Sequence, residues 1–271
     1  MHRLTRTVLR KLFSGEESLR ILDAMRRFLD DFREKTPHMT AEQILPWAGW
    51  AAACLAKNES LRKDTDFLQS CLAVVDTCRT NNLYAEARSL LENVRLHANA
   101  VADDALTASV LLTMANWRSD LNQNDLAEKE YLEALAIRRE LAQNNPDKFN
   151  PYVATTLNNL AVLHKGLNQH AKAEGEYSEA LDIRRRLAQN NPDKFNPYVA
   201  NTLNNLAILC RRRLYGPSKF GPVRFLHGLM HPEFRKKAAE LREEAVEIAK
   251  RYPENPFCRK ILASPEPGDL K

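Results

Sequence analysis

The eleven residues NNPDKFNPYVA stand at 144–154 and again, unchanged, at 190–200, 46 positions later. The likeness runs well past that phrase. RRELAQNNPDKFNPYVATTLNNLAVLHK (138–165) lies over RRRLAQNNPDKFNPYVANTLNNLAILCR (184–211) with five differences. At the same offset LNQNDLAEKEYLEALAIRR (121–139) lies over LNQHAKAEGEYSEALDIRR (167–185). A chain with such a period folds as stacked units, each covering its apolar face by packing on its neighbours.

Each unit reads as two helices. Val153, Leu157, Leu160, Ala161 and His164 follow three-to-four spacing, and Ala173, Tyr177, Ala180, Leu181, Ile183 and Leu187 form a second apolar stripe. Asn168, Gln169 and His170 mark the polar turn between them. The doubled phrase reads as punctuation between one hairpin and the next. Asn190, Asn191 and Pro192 end a helix, Asn196 is placed to cap the following one, and Pro197 suits its first position. Phe149 and Phe195 are expected to pin this connection onto the core.

Small side chains at Ala161 and Ala173, a large aromatic at Tyr177 and a small residue again at Ala180 resemble the tetratricopeptide repeat. TLNNLAVL followed by KAEGEYSEAL is similar to the longer-period subtype of kinesin light chains and many bacterial proteins. That family's basic unit has about 34 residues. The period of 46 departs from it, and the difference falls in IRRRLAQNNPDKFN, which predicts a longer second helix and a larger linker. The resemblance implies an all-α, right-handed superhelical solenoid of antiparallel helix hairpins, whose first helices line a concave side.

The expected organisation is a basic amphipathic helix and capping helices over 1–67, a solenoid over 68–256 and a partly disordered tail over 257–271. Within the solenoid, a degenerate unit covers 68–98 and clear units begin at 107, 153 and 199, the last interrupted by a basic insertion at about 211–232. The low glycine content, 8 residues, agrees with long helices joined by short turns. Cys54, Cys71, Cys78, Cys210 and Cys258 are odd in number and form no CxxC, which predicts reduced, buried thiols and a cytoplasmic setting.

The net charge of +5 is unevenly distributed. Residues 1–13 carry Arg3, Arg6, Arg10 and Lys11 without an acid, while Leu4, Val8 and Leu12 share a helical stripe. This segment is open to two readings: a helix that caps the solenoid, or an organellar or peripheral-membrane address. The basic segment 211–237 includes Arg212, Arg213, Lys219 and Arg224. It reads either as a loop closing the end of the solenoid or as a nucleic-acid or anion patch, and arginine runs are commonly solvated surface.

No phosphate-binding loop, dinucleotide fingerprint, HExxH or GxSxG occurs. His227 and His231 stand four apart with no evident further ligand, so neither a metal nor another cofactor is expected, and the chain reads as a non-enzyme. The resemblance points to the polar positions of the first helices as a peptide-binding groove. On this chain these are Thr155, Asn158, Asn159, Val162 and Lys165, then Asn201, Asn204, Asn205, Ile208 and Arg211, with Ser109, Leu112, Thr113, Asn116 and Ser119 in the preceding unit. An asparagine amide matches both the donor and the acceptor of a peptide backbone, and Lys165 and Arg211 favour an acidic segment. The paired asparagines are equally open to a structural reading, as bridges between adjacent helices. The functional expectation is a non-catalytic scaffold that captures an extended segment of a protein partner.

Overall fold

The structure, a computed structural model, describes residues 48–49, 51–56, 59–215 and 232–264. All regular elements among them are α-helices. After a single turn at Glu59–Arg62 come α1 (Thr65–Thr80), α2 (Tyr84–Val101), α3 (Asp104–Asp120), α4 (Asn124–Asn144), α5 (Pro146–Gly166), α6 (His170–Asn190), α7 (Pro192–Tyr215), α8 (Pro232–Arg251) and α9 (Pro256–Ala263). The chain gathers into two compact units, Met1–Met114 and Ala115–Lys271.

In the first unit α1 starts where the Asp64 carboxylate accepts from the Phe67 amide at 3.0 Å. It buries Phe67, Leu68, Cys71, Val74, Val75 and Cys78 against Ala87, Leu90, Leu91 and Val94 of α2. The seven-residue spacing of Cys71 and Cys78 therefore leads into the core, as the sequence implies. Gln69 Nε2 donates to Ser109 Oγ at 3.1 Å and ties α1 to α3.

Three of the hairpin turns reverse through an asparagine in the left-handed region: Asn82, Asn122 and Asn168, at φ 61°, 59° and 60°. Asparagine tolerates this conformation better than most side chains do. The joint between α2 and α3 uses Ala102 at φ 53°, which gains no such relief. Ala102→Gly removes strain of about 1–2 kcal/mol and adds back part of that as unfolded-chain freedom. The expected net result is a gain of about 0.5–1 kcal/mol in urea unfolding. A loss of stability there would show that the methyl group packs.

In the second unit the helix starts differ from the sequence expectation. Asn145 Oδ1 accepts from the Lys148 amide at 3.2 Å, and Asn191 Oδ1 from the Lys194 amide at 3.1 Å. The caps are thus Asn145 and Asn191, with Pro146 and Pro192 at the first helical position. Asn196 and Pro197 are the fifth and sixth residues of α7, and Pro151 is likewise the sixth of α5. Each interior proline removes one N–H from the helix ladder, whose partner would be the carbonyl of Asp147 or Asp193 in the first turn. The enlarged linker is absent: one residue separates α4 from α5 and α6 from α7. The length beyond a basic unit is helix, with α5 and α6 of 21 residues each.

Where no second Asn-Pro stands upstream, the dipeptide does cap. Asn255 Oδ1 accepts from the Phe257 amide at 3.0 Å, and Pro256 opens α9. This helix occupies residues assigned above to a tail beginning at 257. Its Cys258 and Ile261 pack on Ala200 and Ala249. The main cluster of this unit joins Ala161, Ala173, Tyr177 and Leu181 to Val199, Leu203, Leu206, Leu209 and Ala245.

Ion pairs mark the register of the second helices. Arg139 meets Glu179 and Arg185 meets Glu244, both at 2.6 Å. Lys172 meets Glu128 at 3.1 Å and Lys237 meets Glu174 at 2.8 Å. The residues before the insertion repeat at 46 and those beyond it at 65, so the sequence gains 19 residues between matching pairs with no change of register. Exposed pairs of this kind contribute about 0–1 kcal/mol each, so they report alignment more than strength.

Candidate protein-binding face

The expected groove residues all fall on the first helices, α5 and α7. Thr155, Asn159, Lys165, Asn201, Asn204, Asn205 and Arg211 are half-buried, and Asn158 is buried. Val162 and Ile208, one period apart, are 43% and 36% exposed. Of the residues named for the preceding unit, Thr113 and Asn116 are buried, and Ser109, Leu112 and Ser119 half-buried. α7 continues to Tyr215, so Arg211 and Arg212 are helical and not part of a loop. Arg212 is exposed. The side chain of Arg213, and Lys219, Arg224, His227, His231 and residues 1–13, lie outside the described residues. Among the described residues no three His, Cys, Asp or Glu side chains gather as a metal site.

The amides of this face bridge helices. Asn159 Nδ2 donates at 3.1 Å to Asn116 Oδ1, which also accepts from the Tyr131 hydroxyl at 2.6 Å. Asn205 Nδ2 donates at 3.3 Å to Asn158 Oδ1. Asn204 Oδ1 accepts from Arg242 Nη1 at 2.8 Å. Thr155 Oγ1 bonds back to the Pro151 carbonyl at 2.9 Å. One edge of each of Asn159, Asn204 and Asn205 is thereby committed. The carbonyl oxygens of Asn159 and Asn205, the Asn204 amino group and the whole Asn201 amide make no bond among the described residues.

Beneath this face lie two buried cations that sequence reasoning missed. Arg138 Nη1 donates to Thr156 Oγ1 at 2.6 Å and to the Tyr152 carbonyl at 3.2 Å. One period on, Arg184 Nη1 donates to Thr202 Oγ1, to the Tyr198 carbonyl at 3.1 Å and to Asn158 Oδ1 at 3.4 Å. Each guanidinium lies 5.5 Å from the ring of its tyrosine. Burial pushes both arginines down to about 10, which leaves them charged at neutral pH. The signal was present: Ala127, Tyr131, Ala134 and Arg138 share one helical face, so the arginine falls on the buried stripe.

His164, 2% exposed, is held between two acids. Its Nδ1 lies 2.8 Å from Glu176 of α6, and its Nε2 3.0 Å from Glu128 of α4. A ring between two carboxylates donates to both only as imidazolium. The hydrogen bond from His164 holds the Glu128 carboxyl below the usual range, whereas burial pushes Glu176 up. In the preceding unit, Arg118 and Glu130 make the equivalent pair at 2.9 Å.

Antiparallel helix hairpins repeated in register define the class of helical solenoids. Residues 153–193 match the family model described as tetratricopeptide repeat. The crystal structure of BtubC (BKLC) from P. vanneervenii is similar over 84% of this chain and 96% of that chain, with 21% identity and a TM-score of 0.49. No curated protein matches the chain. Tetratricopeptide repeats are in general scaffolds for contacts between proteins, and residues 153–193 are similar to such a repeat. No helix among the described residues is long and apolar enough to cross a membrane.

Proposed function

We propose that the exposed face of α5 and α7 captures an extended segment of a partner protein. The observation that carries this reading is the pairing of Val162 and Ile208. Both are apolar, both are exposed, and they stand one period apart on helices whose other apolar residues are largely buried. They offer two contacts at a fixed spacing for alternate side chains of a bound strand. The uncommitted edges of Asn159, Asn204 and Asn205, together with Asn201, suit its backbone. Thr155 lines the approach, and Lys165 and Arg211 favour an acidic segment. Because half of each amide is occupied, the backbone contacts are fewer than four free asparagines would give.

Peptides selected from a random display library on the immobilised protein test this reading. Val162→Asp with Ile208→Asp is expected to weaken the selected peptides at least tenfold. The melting temperature should stay close to the native value, because neither side chain belongs to the buried core. Peptides that bind the double variant as well as the native chain would place the contact elsewhere.

A further inference from the structure

In the unit before, the Tyr131 hydroxyl is satisfied by Asn116. The residue 46 positions on from Asn116 is Val162, and valine has no acceptor. Tyr177, which repeats Tyr131, is fully buried and its hydroxyl has no hydrogen-bond partner. A buried donor left unpaired in this way costs about 1–3 kcal/mol. Two cations bear on it. Lys165 Nζ lies 5.9 Å from the centre of the Tyr177 ring. Arg212, on the last turns of α7, acts on both Lys165 and Tyr177 through its charge. Burial and Arg212 together hold the Lys165 ammonium below its usual range. Neither Lys165 nor Arg212 meets a carboxylate among the described residues. The acid that bears on Tyr177, Glu176, is held by His164.

We propose that Lys165, Arg212 and the Tyr177 hydroxyl form a receptor for a phosphate group. Two neighbouring cations without an acid are balanced by a dianion and only half balanced by a carboxylate. Three donors of different kinds match the three unesterified oxygens of a phosphate. Burial raises the Tyr177 phenol, so the hydroxyl keeps its proton and can donate. The inference rests on the reading of α5 and α7 as a binding face, and it adds that the captured group is phosphorylated.

Titration calorimetry slightly above neutral pH tests it, with inorganic phosphate and a short phosphoserine peptide as separate probes. The unphosphorylated peptide, and sulfate and chloride at matched ionic strength, serve as controls. The expected result is saturable binding of phosphate that Lys165→Met, Arg212→Met and Tyr177→Phe each weaken about tenfold or more. Tyr177→Phe is the decisive variant, since it deletes a group that makes no bond and should melt no lower than the native protein. Phosphoserine peptide binding more tightly than inorganic phosphate assigns the group to a partner chain, and the reverse assigns it to the free ion. Absence of saturable binding, an equal response to chloride, or full phosphate binding by Tyr177→Phe overturns the receptor. The two readings fail separately: selected peptides lost on Val162→Asp with Ile208→Asp, without any phosphate binding, would sink this inference and leave the binding face intact.

Discussion

Arg184→Ala is expected to lower the unfolding free energy by about 3 kcal/mol. Arg184 is 4% exposed, and its Nη1 serves three acceptors from two elements: Asn158 of α5, and the Tyr198 carbonyl and Thr202 of α7. Alanine removes the shared donor and leaves a cavity under the Tyr198 ring. Arg184→Leu separates these causes, because it fills volume without charge. A buried cation without an acid pays a desolvation penalty, and replacing such groups with apolar residues is often neutral. We expect leucine to cost about half as much as alanine in urea unfolding. A leucine variant as stable as the native chain would mean that the site needs volume and not charge. Arg138, which lacks the asparagine contact, should follow the same order with smaller losses.

His164→Leu should cost about 2–3 kcal/mol at neutral pH. It removes the ring bonded to both Glu128 and Glu176 and leaves the two acids, from successive repeats, on either side of an apolar side chain. The pH dependence has a definite sign. Glu128 has a depressed folded-state value, so its contribution is present above its unfolded value of about 4.3 and is lost as the pH falls through the folded one. Glu176 is raised by burial, so its contribution has the opposite sense and declines as the pH rises through its folded value. In the leucine variant Glu128 loses the largest cause of its depression, and Glu176 loses the hydrogen bond that opposes its rise. The gap in stability between native and variant protein is therefore smallest near about pH 4 and widens towards neutrality. Parallel curves across that range would show that the histidine holds its neighbours by packing alone.

The hairpin architecture was legible because a period of 46 forces neighbours to repeat the same contacts. The helix starts were not. Two Asn-Pro pairs stand five residues apart in each connection, and only the cap geometry decides that Asn145 and Asn191 outrank Asn150 and Asn196. The burial of Arg138 and Arg184 is not legible from their charge, although the position of Arg138 on the Ala127–Tyr131–Ala134 stripe points inwards. His164 was recognised as facing inwards, but its partners lie 12 and 36 residues away, beyond any local pattern. The asparagines illustrate a different limit. Composition allows them to face a ligand or to bridge helices, and their amides divide between the two, one edge bonded to a neighbouring helix and the other left open.

The matched ion pairs carry a consequence for the length of the array. Arg139–Glu179 and Arg185–Glu244 show that a unit meets its successor as it was met by its predecessor, even across 19 inserted residues. Nothing in such a joint counts how many units there are. A further copy of residues 146–191, placed after Asn191, would begin with the proline the cap expects and end on the asparagine the next helix needs. The joint at α9 is built differently. Ala249 stands where Arg138 and Arg184 stand in earlier units, and it meets Ile261 of α9, a helix of 8 residues. The polar socket by which one unit receives the next is there rewritten in apolar residues, fitted to a short helix in place of a further hairpin.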